Sequence, residues 1–138
     1  MEKAQIAYEA VGHMIFAQTS HDTRKRLTAV LMDQPNKQWQ GLVEDMARGV
    51  DVLDSDESIN QIMRIFRLNS AVCSAVGGAF LFPQFEVMFT DVLGLYGKAS
   101  QRIHESIAKT GMLSFATQFS KTEETYLLSL FVKATLLL

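Results

Sequence analysis

The stretch FPQFEVMFTDVLGLYGKASQRIHESIAKT, residues 82–110, decides the fold class of this 138-residue chain. Its apolar residues recur at steps of three and four over about seven turns, which is the pattern of an amphipathic helix. They are Phe85, Met88, Val92, Leu95, Ala99, Ile103 and Ile107. The pattern predicts the longest helix of the chain, from about Phe82 to Thr110, with Pro83 in its first turn.

Two glycines, Gly94 and Gly97, fall inside this long helix. Each costs about 1 kcal/mol relative to alanine, because glycine loses more backbone freedom on entering a helix. We therefore expect a neighbouring helix to approach closely at these positions. The segment Gly94–Lys98 contains a glycine directly before a lysine, as a phosphate-binding loop does. It lacks the glycine spacing of such a loop and the strand that precedes one.

The helical period extends through the rest of the chain. It predicts a first helix at about Ala4–Gln18, a second from near Asp22, a third at about Asp56–Val76 and a fifth after Ser120. Several of these helix starts have candidate N-terminal caps. The second helix has Ser20 or Asp22, and the third has Ser55 or the capping pair Asp54 and Glu57. The fifth has the capping box Ser120–Glu123, in which serine and glutamate satisfy each other's free backbone N–H groups. Glycines are expected to end three helices, at Gly49, Gly77-Gly78 and Gly111.

Pro35 interrupts the second helical pattern, because proline removes a backbone donor and disfavours helix in the residue before it. Yet apolar residues continue at helical spacing from Trp39 to Met46. Pro35 is therefore predicted at a kink or in the first turn of a new helix, with Asp33 or Gln34 before it.

The amino-acid composition excludes several classes of protein. A hydrophobic fraction of 48% and a charged fraction of 20% exclude disorder, and a net charge of −2 argues against direct nucleic-acid binding. The single cysteine excludes a disulfide framework and a thiolate zinc site within one chain. Two prolines and eight glycines are too few for the many turns of a sheet protein.

These observations predict an all-α protein, an α-α superhelix of HEAT-type antiparallel helix pairs with about two and a half repeats. Residues 1–49 are the first pair with a break at Pro35, residues 50–111 the second, and residues 112–138 the start of a third. A helical bundle would give the same order of elements and is the alternative.

No signal peptide or membrane-spanning segment is predicted, since residues 71–82 and 126–138 both fall short of the about 20 apolar residues required. The chain stops in the apolar run Thr135–Leu138, whereas natural termini usually lie exposed. We expect a soluble piece of a longer chain.

Few residues are candidates for metal binding or catalysis. Glu9 and His13 stand four apart, but a metal site needs further ligands, and His21 and His104 offer no matching spacing. Cys73 lies on an apolar stripe and is expected to be a small buried residue. We predict no catalytic residue, no metal ligand and no cofactor. A small helical enzyme that uses Glu9, His13 or His104 is a minor alternative.

Two features suggest contacts with other proteins. The basic cluster Arg24-Lys25-Arg26 is expected to be a solvated face, with a protein-contact rim as the alternative. Trp39 is expected to anchor the core, although tryptophan is also enriched at contact hot spots.

The segment Tyr8–Ile15, YEAVGHMI, followed by Ala17-Gln18-Thr19, closely resembles nuclear export receptors of the karyopherin (importin-β) family. The resemblance runs in register from about Ala4 to Thr110. Its further positions are Leu31-Met32, Pro35-Asn36, Trp39, Val50–Leu53, Asn69, Val72-Cys73, Ala75–Gly77 and Leu95-Tyr96.

The resemblance implies a function that the residue pattern alone does not. It implies a ring-like HEAT solenoid that binds leucine-rich export-signal cargo together with Ran-GTP in the nucleus and releases both in the cytoplasm. Cargo binding would be helix-in-groove capture, coupled reciprocally to Ran binding. Nucleoporins and neighbouring HEAT repeats are further implied partners, and this segment corresponds to repeats beyond the cargo groove, in the C-terminal half.

Three departures limit what is carried over. The family's reactive groove cysteine belongs to an earlier repeat, so Cys73 does not inherit its role. Residues 112–138 resemble the family poorly, and two to three repeats cannot enclose Ran. We therefore assign no cargo or Ran contact to any residue. The isolated chain is expected to self-associate through Leu136–Leu138 and the predicted apolar stripe of the first helix, which consists of Ile6, Tyr8, Val11, Met14 and Ile15. A stand-alone HEAT-like adaptor is the alternative function.

Overall fold

The computed structural model describes residues 2–110, and that range contains no strand. Its elements are α1 (Lys3–Phe16), α2 (His21–Ala47), the short 3₁₀ helix Val52–Asp54, α3 (Asp56–Val76) and α4 (Gly78–Thr110). The predicted all-α class is confirmed. The fifth helix expected after Ser120, the stop at Gly111 and the third pair at residues 112–138 lie outside the described residues.

The four helices form two layers, with α1 packed on α3 and α2 packed on α4. The Glu2 carboxylate lies 3.5 Å from the Arg67 guanidinium, and Gly12 approaches Ala75 near the other end of both helices, so α1 and α3 run parallel. Each helix also packs on its neighbour in the chain. Parallel stacking of successive antiparallel pairs is the arrangement of an α-helical repeat protein.

Two clusters of buried apolar side chains join the layers. One is centred on Trp39 and Phe66 and connects the second half of α2 and the 3₁₀ helix to α3 and α4. The other joins α1 to the first half of α2, the end of α3 and the start of α4. Its members are Ile15, Met32, Val72, Cys73, Val76 and Leu81. Because α3 contributes to both clusters, it is the central helix of the described chain.

The helix ends follow local chemistry. The hydroxyls of Ser20 and Ser55 accept hydrogen bonds from the backbone N–H groups of Thr23 and Ser58, so these two serines are the caps among the predicted alternatives. After α2, the Gly49 and Val50 N–H groups donate to the Met46 and Asp45 carbonyls, which is a Schellman ending with Gly49 at φ +85°. Gly77, at φ +88°, ends α3.

The prediction that Pro35 starts a new helix is wrong, because α2 runs from His21 to Ala47 with Pro35 inside it. Pro35 lies on the buried stripe of this helix, which consists of Thr28, Met32, Pro35, Trp39 and Leu42. Proline removes one helical hydrogen bond, but the stripe on both sides of it packs into the core. Tertiary burial therefore keeps the helix continuous where local propensity favours a break.

One expectation about α4 is also wrong. The helix begins at Gly78, so Pro83 lies inside it and not in its first turn, because the extra turn places Leu81 fully in the core. No neighbouring helix within residues 2–110 comes within 4 Å of a Cβ built on Gly94 or Gly97, so the close approach expected there is not made in that range. Within the same range, a close approach between two helices occurs at Gly12.

Candidate functional site

A groove runs between α2 and α4 on the second layer of the fold. Its volume is about 210 Å³. We call it the α2–α4 groove, and its lining residues are Asn36, Trp39, Gln40, Val43, Gln84, Met88 and Asp91. Both helices present polar and apolar side chains to it, so the groove is suited to binding a small group.

A chain of side-chain amides orients the polar end of the groove. The side-chain amide of Asn69 donates to the backbone carbonyl of Ile65, one turn earlier in α3, at 2.8 Å. Gln84 donates to the Asn69 carbonyl oxygen, and Asn36 donates to Gln84 at 3.2 Å. Asn69 is fully buried, so these bonds satisfy it and hold Gln84 and Asn36 in place.

Trp39 forms the buried wall of the groove. Its side chain is 4% exposed, and its ring packs on Phe66 with 5.6 Å between ring centroids. The expectation that it anchors the core is confirmed. Its Nε1 is a buried donor that has no hydrogen-bond partner in the described part of the chain.

A clamp of charged side chains connects α4 to the linker before α3. The Arg102 guanidinium donates to the carboxylates of Asp51 at 2.8 Å and Asp54 at 2.9 Å. The hydrogen bond to Asp54 raises the pKa of Arg102, against a smaller opposing effect of burial. Asp51 also accepts from the Leu53 N–H at 3.1 Å, so one carboxylate shapes the 3₁₀ helix and ties it to α4.

A larger concavity of about 540 Å³ lies beside this clamp. It lies between the end of α2, the linker and α4, and it is lined by Met46, Gly49, Val50, Asp51, Leu53, Lys98, Gln101, Arg102 and Glu105. Two acidic and two basic side chains of the described residues line it, so its net charge favours neither an anionic nor a cationic ligand.

The outer side of α1 exposes apolar side chains. Ile6 is 52% exposed and Met14 is 67% exposed, and the two share a face with Ala10 between them. Val11 lies beside them and is also exposed. The opposite side of α1, with Gly12 and Ile15, is the one that packs on α3 and the core.

The residues singled out for metal or catalytic chemistry do not assemble. Glu9 and His13 face each other at 3.9 Å on the exposed side of α1. Among residues 2–110, no group of three or more histidine, cysteine or acidic side chains is placed to hold a metal. Cys73 is a buried cysteine of the second core cluster, as predicted.

The basic cluster begins α2. The Arg24 guanidinium lies 5.2 Å from the centre of the Phe16 ring and 5.9 Å from that of Phe80, and it donates to the Gln18 carbonyl. Lys25 and Arg26 are exposed, as predicted for a solvated face. None of the helices in the described range combines the length and apolar character needed to cross a membrane.

Several of these features have no signal in the sequence. Nothing marks Arg102 as the partner of two aspartates about 50 residues earlier, or Asp91 as part of a groove. Gly12 carries a partial signal, because it lies three residues before the apolar Ile15 and therefore shares its helix face.

Comparison with known proteins adds a family relationship, although no family model matches the chain. Exportin-1 of Schizosaccharomyces pombe is 34% identical over 110 residues, which is 80% of the chain. Protein EXPORTIN 1B of Arabidopsis thaliana is 30% identical over 83% of the chain, and Exportin-1 of Drosophila melanogaster is 31% identical over 76%. The chain spans about 10% of the length of each of these relatives.

Proposed function

Because the chain is related to exportin-1 along about four-fifths of its length, we propose that it serves as a structural segment of a nuclear export receptor. The complete receptor binds leucine-rich export-signal cargo together with Ran-GTP, passes nucleoporins and carries the cargo from nucleus to cytoplasm. The segment itself performs no catalysis. It positions neighbouring HEAT repeats of the same receptor.

The observation that carries this proposal is the similarity to exportins of three organisms over 76–83% of the chain. The stacking of the four helices in residues 2–110 is consistent with it. The packing supports a scaffold role. The exposed side of α1, with Ile6 and Met14, offers a further helix pair the kind of apolar face that its other side offers α3.

The first test is the size of the native protein, measured by immunoblot of source cells with an antibody raised against this chain. A band many times larger than 15.5 kDa is expected, because the relatives are about ten times longer than the matched segment. A single band at 15.5 kDa would contradict the proposal and favour a stand-alone helical adaptor.

The second test concerns binding by that native protein. Beads carrying Ran loaded with a non-hydrolysable GTP analogue should retain it, and a leucine-rich export-signal peptide should increase the amount retained. Beads carrying Ran-GDP are the control. Reciprocal coupling requires that Ran-GTP raise the affinity for the peptide by the same factor. Equal retention by both forms of Ran would refute the receptor function.

A further inference from the structure

One wall of the α2–α4 groove is formed by a tryptophan whose indole N–H makes no hydrogen bond within the described residues. Trp39 lines the groove, is 4% exposed, and its buried Nε1 has no partner among residues 2–110. Buried N–H groups are nearly always paired, because desolvating one without an acceptor is unfavourable. A groove of about 210 Å³ is large enough to admit an oxygen atom from another molecule, since one water takes up about 30 Å³.

Across the groove stands an acceptor that is also unpaired. Asp91, on α4, is half-buried, and its carboxylate makes no ion pair or hydrogen bond within the described residues. It is the only ionisable residue among those that line the groove. Among the described residues, no cationic side chain lines the groove, so its lining carries one negative charge and favours a cationic ligand.

The amide chain supplies a second acceptor in a fixed position. Gln84 uses both ends of its side-chain amide, donating to Asn69 and accepting from Asn36. Asn36 uses only its nitrogen in this chain of bonds, so its Oδ1 is available for a donor. The residues that line the groove thus include a tryptophan with an unpaired N–H, the two acceptors Asp91 and Asn36 Oδ1, and the apolar side chains of Val43 and Met88.

We propose that the α2–α4 groove binds a lysine side chain of an extended peptide segment. The ammonium group would donate to the Asp91 carboxylate and to Asn36 Oδ1, and the aliphatic stem would lie against Val43 and Met88. A backbone carbonyl beside the lysine would accept the Trp39 N–H. Lysine fits better than arginine, because its ammonium group directs donors to separate acceptors, whereas a guanidinium prefers one planar carboxylate.

The size of the groove agrees with this ligand. Pockets for drug-sized molecules usually measure about 300–1,000 Å³, so about 210 Å³ suits a single side chain with its peptide group. Because Nε1 is enclosed, one lining side chain has to move when the carbonyl enters. We assign this movement to Gln40, because its side chain is exposed and, within the described residues, only its 3.3 Å hydrogen bond to Glu44 would have to break. The proposal does not depend on the exportin function.

The single tryptophan makes the test direct, because Trp39 gives the only indole N–H signal in a ¹⁵N–¹H NMR spectrum of the full chain. The probe is the blocked peptide acetyl-Ala-Lys-Ala-amide. We expect the indole proton to shift downfield and to saturate, because it gains an acceptor. The matching norleucine peptide should bind about two- to fivefold more weakly, which is the effect of losing one partly exposed charge pair, and the glutamate peptide should bind more weakly still because it adds a like charge.

Substitutions complete the test. Asp91→Asn should abolish the preference for lysine over norleucine. Asp33→Asn is the matched control, since Asp33 is an exposed carboxylate of α2 that pairs with Lys37 at 2.7 Å outside the groove. No saturable indole shift at millimolar peptide, equal shifts with all three peptides, or unchanged preference in Asp91→Asn would each overturn the proposal. The wild-type comparison of peptides decides it even if a variant is unstable.

Discussion

The approach of Gly12 to Ala75 gives the sharpest test of how the first layer packs. A Cβ on residue 12 would lie 2.6 Å from the Cβ of Ala75, whereas two carbon atoms pack best at about 3.5–4.0 Å. Ala75 cannot turn aside, because its Cβ is fixed to the α3 backbone. Gly12→Ala must therefore push α1 away from α3 by about 1 Å.

Two opposing effects set the magnitude. Forcing an extra methyl group into a packed core costs about 1–3 kcal/mol. Replacing glycine by alanine within a helix returns about 0.5–1 kcal/mol. We expect the free energy of unfolding to fall by about 1 kcal/mol in Gly12→Ala, within a range of about 0–2.5 kcal/mol. The assay is urea unfolding of the full chain, followed by far-ultraviolet circular dichroism.

A matched control separates packing from helix propensity. Gly41 lies exposed inside α2, with no atom within 4 Å of a built Cβ, so Gly41→Ala should raise stability by about 0.5–1 kcal/mol. In an Ala75→Gly background, Gly12→Ala should also be stabilising, because the opposing methyl group is gone. If Gly12→Ala alone stabilises the chain as much as Gly41→Ala does, the close contact between α1 and α3 is refuted.

Three further perturbations test other parts of the fold. Trp39→Ala should lower the free energy of unfolding by about 3–5 kcal/mol. Trp39→Phe should cost much less, because it keeps a ring beside Phe66 and removes an N–H that has no partner in the described residues. Similar losses of stability in the two variants, measured by thermal unfolding, would contradict this. Arg102→Met should cost about 0.5–1 kcal/mol at low salt and less in 1 M NaCl, since the clamp is partly exposed. Because the pKa of Arg102 is raised, this contribution should stay constant with rising pH until strongly alkaline conditions, and an earlier loss would show that another group controls it. Met14→Glu, at a 67% exposed position, should reduce self-association in light scattering without loss of stability, and a parent chain that is strictly monomeric at high concentration would contradict the expected stacking.

The amino-acid sequence by itself determined the helical class and most helix ends of the described chain. The bounds of α3, Asp56–Val76, match the prediction, because the serine before it and the glycine after it act on neighbouring backbone groups. The burial of Cys73 and Trp39 also follows from helical periodicity, which depends only on residues a few positions apart. The resemblance in Tyr8–Ile15 indicated the exportin relationship before any contact was known.

The tertiary structure alone decided which residues meet. Pro35 stays inside α2 because the stripe around it is buried, and local propensity predicts the opposite. Within residues 2–110, two helix backbones come close at Gly12, and no other helix in that range approaches Gly94 or Gly97. The Arg102 clamp and the α2–α4 groove join residues about 50 positions apart in the chain. Periodicity predicts which face of a helix is apolar. It does not predict which other helix covers that face, or at which position along the helix axis the two meet. Those contacts between distant residues create the candidate binding surface.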